Sequence, residues 1–158
     1  MNFKLSILLS TGLVILLIWF LFGHKINMFY PFYIQSRPLV LIQIQDTELK
    51  VEIADTYLKR VRGLSGRENM PDDLGLLFIF NQADYHPFWM KGMKFSIDII
   101  WISQEMKVVS ISKNISPESF PKNFSSTEPV KYVLEVKAGW ADQRAIEIGD
   151  NFVFKNKK

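Results

Sequence analysis

The sequence predicts a mainly β protein: a compact antiparallel β sandwich or barrel with one or two short helices, preceded by a single N-terminal transmembrane helix. Three observations predict it. Apolar and polar residues alternate with period two in stretches such as "LVLIQIQ" and "ELKVEIA", the spacing of strands that bury one face. About six or seven such short stretches are separated by turn residues, with no regular alternation of strands and long helices, which disfavours a parallel α/β sheet. Finally, "LSILLSTGLVILLIWFLF", residues 5–22, carries no charge.

That run spans roughly 27 Å as a helix, close to a hydrocarbon core. It ends in "GHKINMFYPFY", which has no small-residue cleavage site and sets Phe29, Tyr30, Phe32 and Tyr33 where an interfacial aromatic belt sits. Residues 1–25 therefore read as a retained signal anchor, single-pass, with a cleaved secreted form as the alternative. Residues 26–38 read as a juxtamembrane linker containing Pro31 and Pro38. An N-terminal anchor favours an extracytoplasmic domain, although Lys4 on one flank and His24 and Lys25 on the other nearly balance the positive-inside rule.

Residues 39–158 read as the folded β domain. The two alternating stretches form a hairpin around Asp46-Thr47. Asp55 is placed to N-cap a short helix, "TYLKRVR", which Gly63 ends. After a polar loop with Pro71, "LLFIF" is apolar enough for a buried strand. "FSIDIIWI" and "KVVSIS" make a second hairpin across Gln104-Glu105. Residues 113–129, with Pro117, Pro121 and Pro129, read as a long loop. "KYVLEVK" is a further strand, "GWADQRAIEI" a turn with a short helix, and "NFVF" a last strand after the turn at Gly149-Asp150.

Charge and composition narrow the chemistry. Of 19 Lys and Arg residues, three (Lys4, Lys25, Arg37) precede residue 41, and all 16 acidic residues follow it, so the remainder balances at 19 − 3 = 16 against 16. A nucleic-acid partner needs a clustered basic face, and none is expected. With no cysteine, disulfides, zinc–thiolate sites and thiol nucleophiles are excluded. Two histidines without ligand spacing give no metal site, and there is neither a Gly-x-Ser-x-Gly elbow nor a phosphate-binding glycine loop. No cofactor is expected.

The landmarks "VEIADT", "RGLSGRE", "GLLFIF", "FWMKGMKFSIDIIWI", "YVLEVKAGWA" and "IGD", in that order, resemble the domain of unknown function 192 family over about residues 48 to 154. The resemblance implies a mostly β fold of about one hundred residues, often behind a signal sequence or anchor, with no agreed activity. After "FWMK" the family pattern continues with Asn-Thr, whereas this chain has Gly92-Met93. Ser96 and Ile97 replace the family's proline and leucine before the aspartate. Arg62, Lys91, Asp98 and Glu135 occupy retained polar positions of the pattern.

Two constellations compete as the functional site. Asp98 and Glu135 interrupt apolar strands, and two carboxylates in unlike environments can divide acid and base roles, with Lys91 or Arg62 beside them. The structural alternative is a polar network of Arg62, Asp98 and Glu135, in which Arg62 pairs with the Asp98 carboxylate. The second constellation is "HPFWMK", where Trp89 is a stacking wall, His86 and Lys91 supply polar contacts, and Trp140 is a second wall on a neighbouring loop. The packing alternative there has Phe88 and Met90 pointing inward and Trp89 capping the sheet edge.

The reading that follows is a membrane-anchored, extracytoplasmic binding module without catalysis, for a small polar ligand, a glycan or an envelope protein. The alternatives are an envelope enzyme using Asp98 and Glu135, such as a carbohydrate-directed hydrolase, and an accessory protein that meets a membrane complex through residues 13–33 and the adjacent domain face. An open aromatic groove with no acid at its floor would mark the binding module; carboxylates lying apart would remove the acid/base pair.

Overall fold

The alternating stretches close into strands β1 (Leu39–Ile44) and β2 (Thr47–Ala54), antiparallel with Ile44 opposite Thr47. The turn between them is Gln45-Asp46, one residue earlier than the pattern suggests, with Gln45 at φ 50°. The computed structural model describes residues 38–155; the anchor expected over residues 1–25 and the linker expected over 26–38, Pro38 excepted, lie outside the described residues. Among those described, no helix is long and apolar enough to cross a membrane.

A short helix, α1 (Tyr57–Arg62), follows β2 and ends at Gly63, as expected. Its N-cap is Thr56 rather than Asp55: the Thr56 hydroxyl accepts from Lys59 N at 3.4 Å, while the Asp55 carboxylate pairs with Lys59 Nζ at 2.8 Å. The chain then enters β3 (Leu74–Asp84), a short β4 (Phe88–Trp89), the hairpin β5 (Ile97–Ile102) and β6 (Val108–Ile115), a single 3₁₀ turn at Pro117–Ser119, and β7 (Asn123–Phe124). Strand β8 (Val130–Lys137), helix α2 (Trp140–Gln143) and β9 (Phe152–Lys155) complete it. The expected loop over 113–129 is thus partly ordered, because β7 pairs with β4 and Ile115 still belongs to β6.

The fold is mainly β; of the expected sandwich or barrel it approaches the barrel, as one curled sheet, and it is not wholly antiparallel. Seven strands form one sheet in the order β6-β5-β8-β3-β2-β1-β9, and β4-β7 is only a two-stranded ribbon. The β2–β3 pair is parallel, because the α1 crossover returns the chain to the same end before β3 begins. The sheet curls: Ile42, Ile44 and Phe152 near one edge share a core with Ile100, Ile102 and Val108 near the other. At one end the edges meet, Val108 N donating to Asp150 O at 2.9 Å and Phe152 N to Met106 O at 2.9 Å.

Both faces of the central strands are covered. Even-numbered β5 and β8 residues (Ile100, Leu134, Val136) line the concave core, and odd-numbered ones (Ile99, Trp101, Val133) pack in a second cluster with Leu64, Met70 and Met90. This explains why all six residues of "IDIIWI" are buried although the strand is antiparallel. Gly75, in β3, leaves room for side chains of the neighbouring strands. A β-carbon there would lie 2.9 Å from Leu134 Cδ1 and 3.0 Å from Leu49 Cδ2.

Candidate functional site

The register of β5 and β8 decides the first constellation. Ile99 pairs with Glu135 and Asp98 with Val136, and paired residues project to the same face. Asp98 therefore points into the concave core with Val136, and Glu135 points to the opposite face with Ile99. The sheet lies between the two carboxylates, so they cannot share a proton or a substrate. The three-residue network is divided in the same way, since Arg62 lines a groove with Glu135 on the face opposite Asp98.

Asp98 is wholly buried and is held by main chain instead of by an arginine. One carboxylate oxygen accepts from Asn114 N at 2.8 Å, the other from Ala141 N at 3.0 Å. It fastens the end of β6 and the start of α2 to β5. Gly139, which precedes α2, offers no side chain to cap it, and Asp98 takes over that task from the strand next to β8.

The groove lies on the other face, with a volume of about 360 Å³. Helix α1 contributes Tyr57, Arg60, Val61 and Arg62; the turn after it adds Gly63 and Ser65; β3 gives Phe78 and Phe80; the 86–93 segment gives His86, Trp89 and Met93; and Glu135 reaches it from β8. The walls form because the 86–93 segment is tied to the turn after α1. Ser65 Oγ donates to Lys91 O at 2.8 Å, and Gly66 N to Gly92 O at 2.9 Å. Behind the wall, Phe88 meets Phe78 edge-on at 4.8 Å and Trp101 at 5.3 Å, and Met90 is buried. Phe88 and Met90 therefore pack inward, whereas Trp89 stands 53% exposed at the groove mouth.

The polar groups have distinct settings. Glu135 is 5% exposed, beside the backbone of Gly63. One Arg60 guanidinium nitrogen donates to Asp55 O and Ile79 O at 2.8 and 2.9 Å, and the group lies 5.1 Å from the Phe80 ring centre. His86 stacks on Phe80 with centroids 3.5 Å apart and rings 9° from parallel. Burial of the imidazole pushes its pKa below the ordinary 6.5, opposed by the Gln82 carbonyl 3.3 Å from Nε2.

A histidine with a depressed pKa binds fewer protons folded than unfolded, so stability falls as the pH drops below about 6.5 and levels off beneath the folded value. His86 is the only histidine after His24. In a fragment of residues 38–158, His86→Phe should keep the stack and flatten the loss of melting temperature between pH 7.5 and 5.5. Identical slopes for both proteins would contradict this placement.

Of the expected ligand contacts, His86 and Trp89 line the groove. The Lys91 side chain is exposed and does not; its backbone serves as a tie. Trp140 is not a second wall. It is buried in the concave core, its indole N–H donates to Asp72 O at 3.1 Å, and the Arg144 guanidinium lies 4.7 Å from its ring. Sequence reasoning identified α1 only as a short capped helix and missed it as a wall; Tyr57, Leu58 and Val61 are 73%, 77% and 58% exposed. The departures at 92 and 93 are also placed. Gly92 has φ 71°, a region that glycine enters freely and asparagine more readily than most residues. Met93 lines the groove, putting a thioether where the family pattern has a hydroxyl. Among the described residues no cluster of His, Cys, Asp and Glu could hold a metal ion.

Three comparisons agree on the domain. A UPF0127 protein of Thermococcus sibiricus is 35% identical over 108 residues, covering 64% of this chain; the chain spans 63% of that relative's length. A crystal structure from Sinorhizobium meliloti 1021, of a protein suggested to be a transcription regulator, superposes with a TM-score of 0.72 at 29% identity, covering 75% of this chain and 95% of its own. A protein of unknown function from Novosphingobium aromaticivorans DSM 12444 gives 0.69 at 27% identity, covering 72% and 84%. Since 95% of the Sinorhizobium chain is covered, that chain consists almost wholly of this fold, and a fragment of residues 38–158 is the natural object for solution work. The DUF192 family model, described as an uncharacterized ACR, matches residues 40–154, and this chain belongs to that family.

Proposed function

We propose that the β domain is a binding module whose ligand sits in the groove between α1 and the 86–93 segment, and that residues 5–22 hold it at the membrane with the domain on the extracytoplasmic side. One observation carries the binding reading: segments far apart in sequence bring exposed aromatic rings, guanidinium groups and a buried carboxylate to one concavity of about 360 Å³, within the size range of small-ligand sites. The carboxylate at its floor departs from the purely aromatic groove expected of a binding module. It adds a strong acceptor for a polar ligand. It does not supply a catalytic pair, since Asp98 lies across the sheet. The anchor reading rests on the uncharged 18-residue run and its aromatic flank.

Amide-resolved NMR titration of residues 38–158 with monosaccharides, amino acids and short peptides tests the site. Shifts should gather at Gly63, Ser65 and the Trp89 indole. Trp89→Ala should weaken binding about tenfold, as expected for loss of a ring-stacking contact, and change the melting temperature by only a few degrees. Shifts confined to another face would contradict the site, and conversion of any probe into product would contradict the non-catalytic reading.

A further inference from the structure

We infer that α1 and the Trp89 rim of the groove are a membrane-contact face, which docks on the headgroup layer of the bilayer; this rests on the anchor reading of residues 5–22 and goes beyond the question of the groove's ligand. Helix α1 has inverted polarity. Its cations Lys59 and Arg60 turn back onto the protein: Lys59 Nζ lies 2.8 Å from the Asp55 carboxylate, and Arg60 donates to the Asp55 and Ile79 carbonyls. Tyr57, Leu58 and Val61 face solvent instead, and no residue of the helix is buried. A surface helix in water shows the reverse, its apolar stripe packed on the core. Single exposed apolar side chains are common. Here Leu58 and Val61 stand three residues apart, as neighbours on the helix surface, and Tyr57 and Val61 line one groove with the exposed Trp89.

The place where the chain enters the domain names the occupant. Leu39, the first residue of β1, pairs with Glu52, and Tyr57 follows Glu52 by 57 − 52 = 5 residues. The polypeptide that precedes the domain therefore joins it within about 25 Å of α1. Between the uncharged run and the described domain stand 37 − 22 = 15 residues, which reach at most about 50 Å. A face this close to the tether meets the bilayer at high effective concentration and needs little affinity of its own. Its side chains suit that partner. Trp and Tyr set an apolar ring against hydrocarbon and a polar tip among headgroups, and Leu58 and Val61 add apolar area for insertion to a depth of roughly 5–10 Å. No charge attraction is required, because Lys59 and Arg60 are already occupied by the protein. Docking sets the groove mouth at the headgroup layer, so the groove's ligand enters from there.

The chain has no cysteine, so nitroxide labels can be placed one at a time in the full chain, reconstituted into phosphatidylcholine vesicles, at Leu58→Cys, Val61→Cys and, as a control, Ile148→Cys. Ile148 is also exposed and precedes β9, whose Phe152 pairs with Ile44, at the end of β1 away from Leu39. Spin-resonance accessibility to oxygen, which concentrates in hydrocarbon, and to a water-soluble nickel chelate gives the depth of each label. The ratio of oxygen to nickel collisions should be several-fold higher at 58 and 61 than at 148, and Leu58→Asp should return the label at 61 to water. An inserted chain whose three labels are equally water-exposed overturns the contact and leaves the anchor reading standing. A chain that does not float with the vesicles ends both. Labels at 58 and 61 shielded from oxygen and nickel alike, with spin–spin broadening, place a second copy of the chain on α1 and overturn the bilayer as its partner.

Discussion

Asp98→Ala should lower the stability of the domain by roughly 3–5 kcal/mol and its melting temperature by more than about 10 °C. The side chain is wholly buried, and its two oxygens accept from Asn114 N and Ala141 N. Removing them orphans the Ala141 N–H in the buried core and the Asn114 N–H at a part-buried site, at about 1–3 kcal/mol for an unsatisfied buried donor, and leaves a cavity where the side chain was. Asp98→Asn keeps one acceptor and turns a donor toward an N–H, so it should fall between parent and alanine. Thermal denaturation of the three proteins checks the order. A neutral or stabilised Asp98→Ala would mean that the carboxylate is tolerated for a function, and the assignment of Asp98 to the scaffold would be wrong.

Trp101→Ala should cost about 3–5 kcal/mol for a different reason, and it should also reach the groove. The indole is fully buried on β5 and meets Phe88 edge-on at 5.3 Å, and Phe88 in turn meets Phe78. Truncation opens a cavity beneath the segment that carries Trp89. The indole N–H also loses its place near Ser112 Oγ, 3.3 Å away. Urea denaturation at constant slope gives the stability change, and the Trp89 environment should change in Trp101→Ala and stay unchanged in Asp98→Ala. Trp101→Phe should recover part of the loss. A Trp101→Ala protein of parental stability would contradict the packing of the second cluster.

Strand periodicity made most of the fold readable. The two hairpins, the strand at 130–137 and the short helix ending at Gly63 follow from alternation and from turn residues. Sandwich and barrel stayed open, and the strand order of the curled sheet did not follow, because alternation says which residues share a face and not which strand comes next. The parallel β2–β3 pair depends on the path of a crossover whose polar residues look like any loop. In "FSIDIIW" alternation sets the aspartate on the face opposite Ile97, Ile99 and Trp101, as the structure has it. Its partners were main-chain N–H groups of Asn114 and Ala141, which no side-chain pattern announces. Trp140 was misplaced because an aromatic residue after a glycine turn fits a groove wall and a core equally well. Trp89 was placed on an exposed surface through its unusual bulk in a loop. Helix α1 stayed hidden as a wall because capping signals give a helix's ends and not which of its faces stays exposed.

The central claim is that the groove between α1 and the 86–93 segment is where this domain meets its ligand. The most direct measurement is a crystallographic soak of residues 38–158 with a library of small polar-ring fragments. The account predicts fragments concentrated against Trp89, within hydrogen-bond distance of Glu135 or Arg62. An empty groove, with fragments gathered on another face of the sheet, would contradict it.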